Sequence, residues 1–137
     1  MLGELAKIIK LPKILDERGN LSFLEEKSHI PFKMKRSYWI YDVPGGSSRG
    51  GHAFIKQQEF IIALSGSFDV LVSNGVEEKK FNLNRSYYGL YIPNMIWRQM
   101  DNFSTNSLAL IVSSTGFDPA DYVYDKESYL ELLNGLE

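Results

Sequence analysis

The sequence predicts a single all-β domain, a sandwich or barrel finished by short C-terminal helices. Three observations carry this. Short apolar and aromatic runs, separated by turn residues, recur along most of the chain. Aromatic residues make up 13% of the sequence, mostly Tyr and Phe, and these side chains suit a pleated, half-buried surface. Only the tail, FDPADYVYDKESYLELLNG, changes to a helical spacing.

Taken in order, KIIKL and KILD are β-rich pieces around Pro12, and ERGN is a turn before the strand LSFLEE. KRSYWIYDV alternates large apolar and polar residues and reads as a long strand. PGGSSRGG is a loop by composition. GHAFI, QEFIIALS and SFDVLVS follow, the last two joined by a turn at Ser65-Gly66. Asn74-Gly75 signals a two-residue hairpin, because both residues tolerate positive φ, and VEEKKFNL is its return strand. YYGLYIP, IWRQM and SLALIVSS supply three more strands. In the tail, Asp125 is placed to cap a helix with Tyr129, Leu132 and Leu133 on one face.

One domain spanning residues 1–137 suits this length, and a 44% hydrophobic content is enough for a full core. The closing Leu136-Glu137 reads as the stub of a tag linker and carries no functional weight. The net charge is −2 with no basic stripe, which argues against a nucleic-acid partner. Lys7, Lys10 and Lys13 interrupt the N-terminal apolar residues, and no apolar run is long enough to span a bilayer. The expectation is a cytoplasmic protein without a membrane partner. The sequence has no cysteine, so disulfides, zinc–thiolate sites and thiol nucleophiles are excluded together.

The chemistry-bearing stretch runs from Gly46 to Gly66 and reads G-x5-H-x-F-x4-E-x6-G, through His52, Phe54 and Glu59. Its spacing resembles the first motif of the cupins, which has a second histidine where Phe54 stands. A second, looser match falls on Pro93 to Asn102, with Met95 replacing a glycine and Arg98 replacing a histidine. The two matches in order imply a cupin barrel, the jelly-roll or double-stranded β-helix. Residues two apart on a strand share a face, so His52 and Phe54 both point into such a barrel. Phe54 has no donor for a metal, and Arg98 carries a permanent positive charge that repels one. His52 and Glu59 alone are too few ligands, so no metal is expected. An imidazole beside a guanidinium suits an anionic or enolate-forming ligand instead.

RGGHAFIKQQEFIIALSGSFDV, followed by SYYGLYIPNMIWRQMDNFSTNS, resembles the sugar-nucleotide 3,4-ketoisomerase cupins acting on dTDP-4-oxo-6-deoxyglucose. The resemblance extends to Asp16, Arg18 and Gly19, to the KRSYWIYD strand, to the turn at Leu64 to Ser67 and to Trp97-Arg98. It implies that His52 is the catalytic base and that Arg98 lies in the pocket. Either Arg98 or Arg18 would then stabilise an enediolate. Arg49 or Arg36 would bind the diphosphate, Trp97 or a tyrosine would stack on thymine, and Tyr38 would line the pocket. Glu59 completes the expected substrate-binding set. The implied reaction moves a ketone from C4 to C3 and needs no cofactor. The implied assembly is a homodimer, with the arm AKIIKLPKIL able to pair either with a neighbour's sheet edge or within its own barrel.

Plainer readings stand beside these. Trp97 also fits a core position, Arg18 an ordinary turn, and Glu59 a structural carboxylate paired with Arg98 or Lys56. His29, in the loop SHIPF, reads as an exposed residue. Two other functions share the same residues: a sugar-nucleotide epimerase, and a non-catalytic sugar-nucleotide or carbohydrate binder, which the loss of the histidine at Phe54 would favour.

Overall fold

The structure is a computed structural model that describes residues 5–135, so Leu136-Glu137 and their tag-linker reading lie outside the described residues. The strands are β1 (Lys7–Lys10), β2 (Lys13–Ile14), β3 (Leu21–Ser22), β4 (Arg36–Ile40), β5 (Arg49–Phe54) and β6 (Glu59–Ser65). They continue with β7 (Phe68–Ser73), β8 (Glu78–Leu83), β9 (Tyr88–Ile92), β10 (Trp97–Asp101), β11 (Leu108–Ser113) and β12 (Tyr122–Val123). A 3-10 turn, Pro119–Asp121, precedes β12, and α1 (Lys126–Gly135) ends the described chain.

Two five-stranded antiparallel sheets form the body, ordered β1-β9-β6-β11-β4 and β12-β5-β10-β7-β8. This is the expected cupin jelly-roll, built as two facing sheets. Among the described residues the sheets do not join into one closed, hydrogen-bonded barrel.

Alternation along each strand makes the core. Ile61 and Ala63 of β6 face Val70 and Val72 of β7 and Met100 of β10, with Leu90, Ile92, Ala109 and Ile111 beside them. Strand β6 is buried on both faces, because Phe60 and Ile62 pack outward under Leu11, Ile30 and Phe32. On the other side, Ala53, Trp97 and Val123 are covered by Tyr129 of α1. Each sheet therefore has a lid, and the space between their ends is left for a pocket.

Several expectations shift in detail. LSFLEE contributes only Leu21–Ser22 as strand. The two-residue hairpin at Asn74-Gly75 is a four-residue loop, because Ser73 pairs with Glu78. The Asn74 side chain accepts from the amides of Val76 and Glu77, which opens the turn, while Gly75 alone of the pair takes positive φ. The arm AKIIKLPKIL pairs within its own chain, Lys7–Lys10 against Tyr88–Tyr91. Asp125 does cap α1, accepting from the amide and hydroxyl of Ser128. His29 is partly buried, and its Nδ1 accepts from the Glu25 amide.

PGGSSRGG is not wholly a loop, since Arg49, Gly50 and Gly51 belong to β5. Arg98 is opposite His52, but Met100 is opposite Arg49, so β5 carries one extra residue. This bulge has a functional effect. Arg49 and His52, three apart, would face opposite sides of a regular strand, and the extra residue turns both toward one pocket.

Candidate active site

The pocket is a cleft of about 610 Å³ at the end of the two sheets. Strand β4 contributes Tyr38 and Trp39, with Tyr41 just beyond it; β5 contributes Arg49 and His52, β10 contributes Arg98, and Tyr122 and Tyr124 close the wall.

His52 sits at the centre. Its ring meets the edge of Phe54 at 4.8 Å and lies 5.3 Å from Tyr122 and 6.1 Å from Tyr124. Its Nε2 is buried and has no hydrogen-bond partner among the described residues. Burial first, then the charges of Arg98 and Arg49, push the imidazole pKa down from 6.5 to about 3. The side chain is thus held neutral, with a lone pair or proton unspent on the protein. An unspent polar atom buried in the wall of a cavity marks a place for a ligand.

Arg98 is 4% exposed and paired with Glu59, which is 1% exposed. Nε and Nη2 reach Glu59 Oε1 at 2.9 and 2.8 Å. Nη2 also donates to the Tyr38 hydroxyl at 3.1 Å, and that hydroxyl donates to Glu59 Oε2 in a very short hydrogen bond. Burial and the neighbouring carboxylate push the Tyr38 phenol well above its usual range. Of the four cupin ligand positions, only His52 keeps an uncommitted donor atom. Phe54 offers none, and Glu59 is taken up by Arg98. Among the described residues no group of three or more His, Asp or Glu side chains could hold a metal ion.

Four of the sequence-selected residues therefore converge here: His52, Arg98, Tyr38 and Arg49. Four do not line the cleft. Glu59 lies behind Arg98 and cannot contact a ligand while so enclosed, which matches its structural reading. Trp97 is 6% exposed on the opposite face of β10 from Arg98, against Gly51 and Tyr129, so it packs and does not stack on a base. Arg36 lies over the rings of Tyr38 and Phe117 and donates to Gln57. Arg18 is exposed in the turn between β2 and β3, where it pairs with Asp16 at 2.9 Å.

Sequence reasoning missed Trp39, Tyr41, Tyr122, Tyr124 and Gln57. The signal for the tyrosine pair was present, because Y-x-Y is strand alternation. Tyr122 pairs with Phe54 across β12 and β5, and the two tyrosine rings stack at 5.3 Å. The helical spacing that follows obscured it.

The fold and cleft define a cupin with a small-molecule pocket built around a neutral histidine and two arginines. The chain belongs to the family described as FdtA, WxcM-like, C-terminal, whose model matches residues 4–134. It is 34% identical to the TDP-4-oxo-6-deoxy-alpha-D-glucose-3,4-oxoisomerase of Aneurinibacillus thermoaerophilus, over 93% of this chain and 94% of that one. Among solved structures, a TDP-quinovose 3,4-ketoisomerase from Campylobacter jejuni superposes with a TM-score of 0.88 at 37% identity, over 92% of this chain and 97% of that one. The 3,4-ketoisomerase QdtA from Thermoanaerobacterium thermosaccharolyticum, solved with TDP, gives 0.91 at 33% identity, over 95% of each. The resemblance read from the sequence is to this same family.

Proposed function

We propose that this chain is a TDP-sugar 3,4-ketoisomerase, converting a TDP-4-oxo-6-deoxyhexose to its 3-oxo isomer, with His52 as the base. The observation that carries the proposal is the unpartnered Nε2 of His52, buried in a cleft between Arg49 and Arg98. Membership of the family, and relatives named for this reaction, support it.

The C3 proton of the substrate is acidified by the C4 carbonyl. Neutral His52 takes it at Nε2, leaving an enediolate across C3 and C4. Arg98 donates to the developing oxyanion, an arrangement worth roughly 3–4 kcal/mol per donor in other enzymes. The O3 hydroxyl proton passes to O4, while His52, its proton exchanged with solvent, returns one to C4. The ketone then sits at C3. Oxidation at C3 balances reduction at C4, so no redox cofactor enters. With Phe54 lacking a donor and Glu59 held by Arg98, the proposed reaction also runs without a metal. Arg49, re-aimed by the bulge, is assigned to the diphosphate. The negative charge it binds offsets one cause of the depressed basicity of His52. The exposed rim of Trp39, Tyr41 and Tyr124 is assigned to the nucleoside.

We assign the protein to the cytoplasm as a homodimer. No helix among the described residues is long and apolar enough to cross a membrane. Exposed Ile14, Leu15, Leu21 and Phe23, on and around the β2–β3 pair, favour an apolar contact with a second copy. Light scattering at micromolar protein checks this, and a monomer mass would refute it.

The test of function is proton NMR of TDP-4-oxo-6-deoxyglucose in deuterated buffer with metal-stripped protein. A 3-oxo sugar carrying deuterium at C4 supports the isomerase. Binding of TDP without turnover supports the non-catalytic binder.

A further inference from the structure

Behind the pocket lies a hydrogen-bond system that the reaction as described does not use. Its centre is Glu59, whose carboxylate accepts from Arg98 Nε and Nη2, from the Tyr38 hydroxyl and from Gln57 Nε2 at 3.1 Å. Gln57 is itself 2% exposed. Its amide has one permitted orientation. Oε1 accepts from Arg36 Nη2 at 3.1 Å and from Thr115 Oγ1 at 2.8 Å, and a guanidinium can only donate. Gln57 must therefore turn Nε2 toward Glu59. The Gln57 backbone amide is anchored by Asp121 Oδ2 at 3.0 Å, which fixes the start of β6.

The consequence reaches the pocket. With donors converging on both oxygens, the Glu59 carboxylate takes the Tyr38 proton as an acceptor. The Tyr38 oxygen already receives Arg98 Nη2. Toward the cleft, Tyr38 has no proton to give and presents only acceptor capacity, whereas Arg98 presents only N–H groups. We propose that Gln57 and Glu59 are positioning residues that set this polarity, so that Tyr38 accepts from a sugar hydroxyl while Arg98 donates to the adjacent carbonyl or enediolate oxygen. A vicinal hydroxy-ketone is the sugar pattern that this pair recognises. The inference deepens the isomerase reading and rests on it for the identity of the sugar, though the recognition it describes can be measured without turnover.

The test uses Gln57→Met, which keeps the volume and removes the donor to Glu59. In the His52→Asn background, calorimetry gives the affinities of TDP and of TDP-4-oxo-6-deoxyglucose. The expected result is that adding Gln57→Met leaves TDP affinity within about twofold. It lowers the sugar's additional affinity by about tenfold, the size of one charge-assisted hydrogen bond. In the presence of His52, kcat is expected to fall by a similar factor with little change in the affinity for TDP. Equal loss of TDP and TDP-sugar affinity together with a lowered melting temperature would overturn the proposal, showing that Gln57 only supports the fold. An unchanged sugar preference would overturn it as well. Because the binding ratio needs no catalysis, a protein that binds but never turns over would defeat the isomerase reading and leave this measurement intact.

Discussion

The Arg98 guanidinium and the Glu59 carboxylate meet at 2.8 Å and are both almost wholly buried, at 4% and 1% exposure. They occupy positions that serve as metal ligands in other cupins, and in this chain they neutralise each other. Removing one partner leaves an uncompensated buried charge. Glu59→Ala is expected to destabilise the protein by about 3–5 kcal/mol, more than a pair of apolar replacements at both sites. Denaturant unfolding of Glu59→Ala, of the single variants Glu59→Leu and Arg98→Met, and of the latter two combined measures this. An additive double variant would show the pair to be uncoupled.

His52→Asn removes the base while keeping a similar polar volume. Turnover is expected to fall by roughly 10²–10⁴-fold, the range for loss of a general base. Affinity for TDP should persist, because Arg49 and the aromatic rim are untouched. The NMR assay and calorimetry read the two quantities separately. Retained turnover would remove His52 from the mechanism.

The depressed basicity of His52 sets a pH dependence. Its pKa falls from 6.5 to about 3 in the folded protein, so protonation is favoured in the unfolded chain. The stabilising contribution is complete above about 6.5 and is lost as pH falls from there toward about 3. It does not change on the alkaline side. The free-enzyme profile of kcat/KM should accordingly show no His52 acid limb near 6.5, with the loss lying well below. An acid limb in kcat/KM near 6.5 would contradict the burial of this ring.

Gly51 and Trp97 are joined by contact. A Cβ at position 51 would lie 2.6 Å from the indole ring. Gly51→Ala is expected to cost about 1–3 kcal/mol through overpacking. Trp97→Ala is expected to cost about 3–5 kcal/mol by leaving a cavity under α1. Neither loss arises from base stacking, so TDP affinity at a temperature where the variant is folded should change little. A selective loss of TDP affinity in Trp97→Ala would reinstate the stacking role.

The sequence by itself determined the fold class, most strand positions and several of the residues that meet in the cleft. Strand alternation is a local property, so the spacing of His52 and Phe54 already carried their shared face. The replacement of donors at Phe54 and Arg98 was equally legible. Tertiary structure decided which residues the site excludes. Alternation puts Arg98 and Trp97 on opposite faces of β10, but packing decided that Arg98's face is the cleft and Trp97's lies beneath α1. Arg49 reaches the cleft only through the bulge at Gly50-Gly51, an irregularity that local composition made look like a loop. Gln57 matters because Arg36, Thr115 and Glu59, drawn from separate segments, meet around one amide and fix its direction. Periodicity specifies a face, while partnership across strands depends on register and closure that no single segment contains.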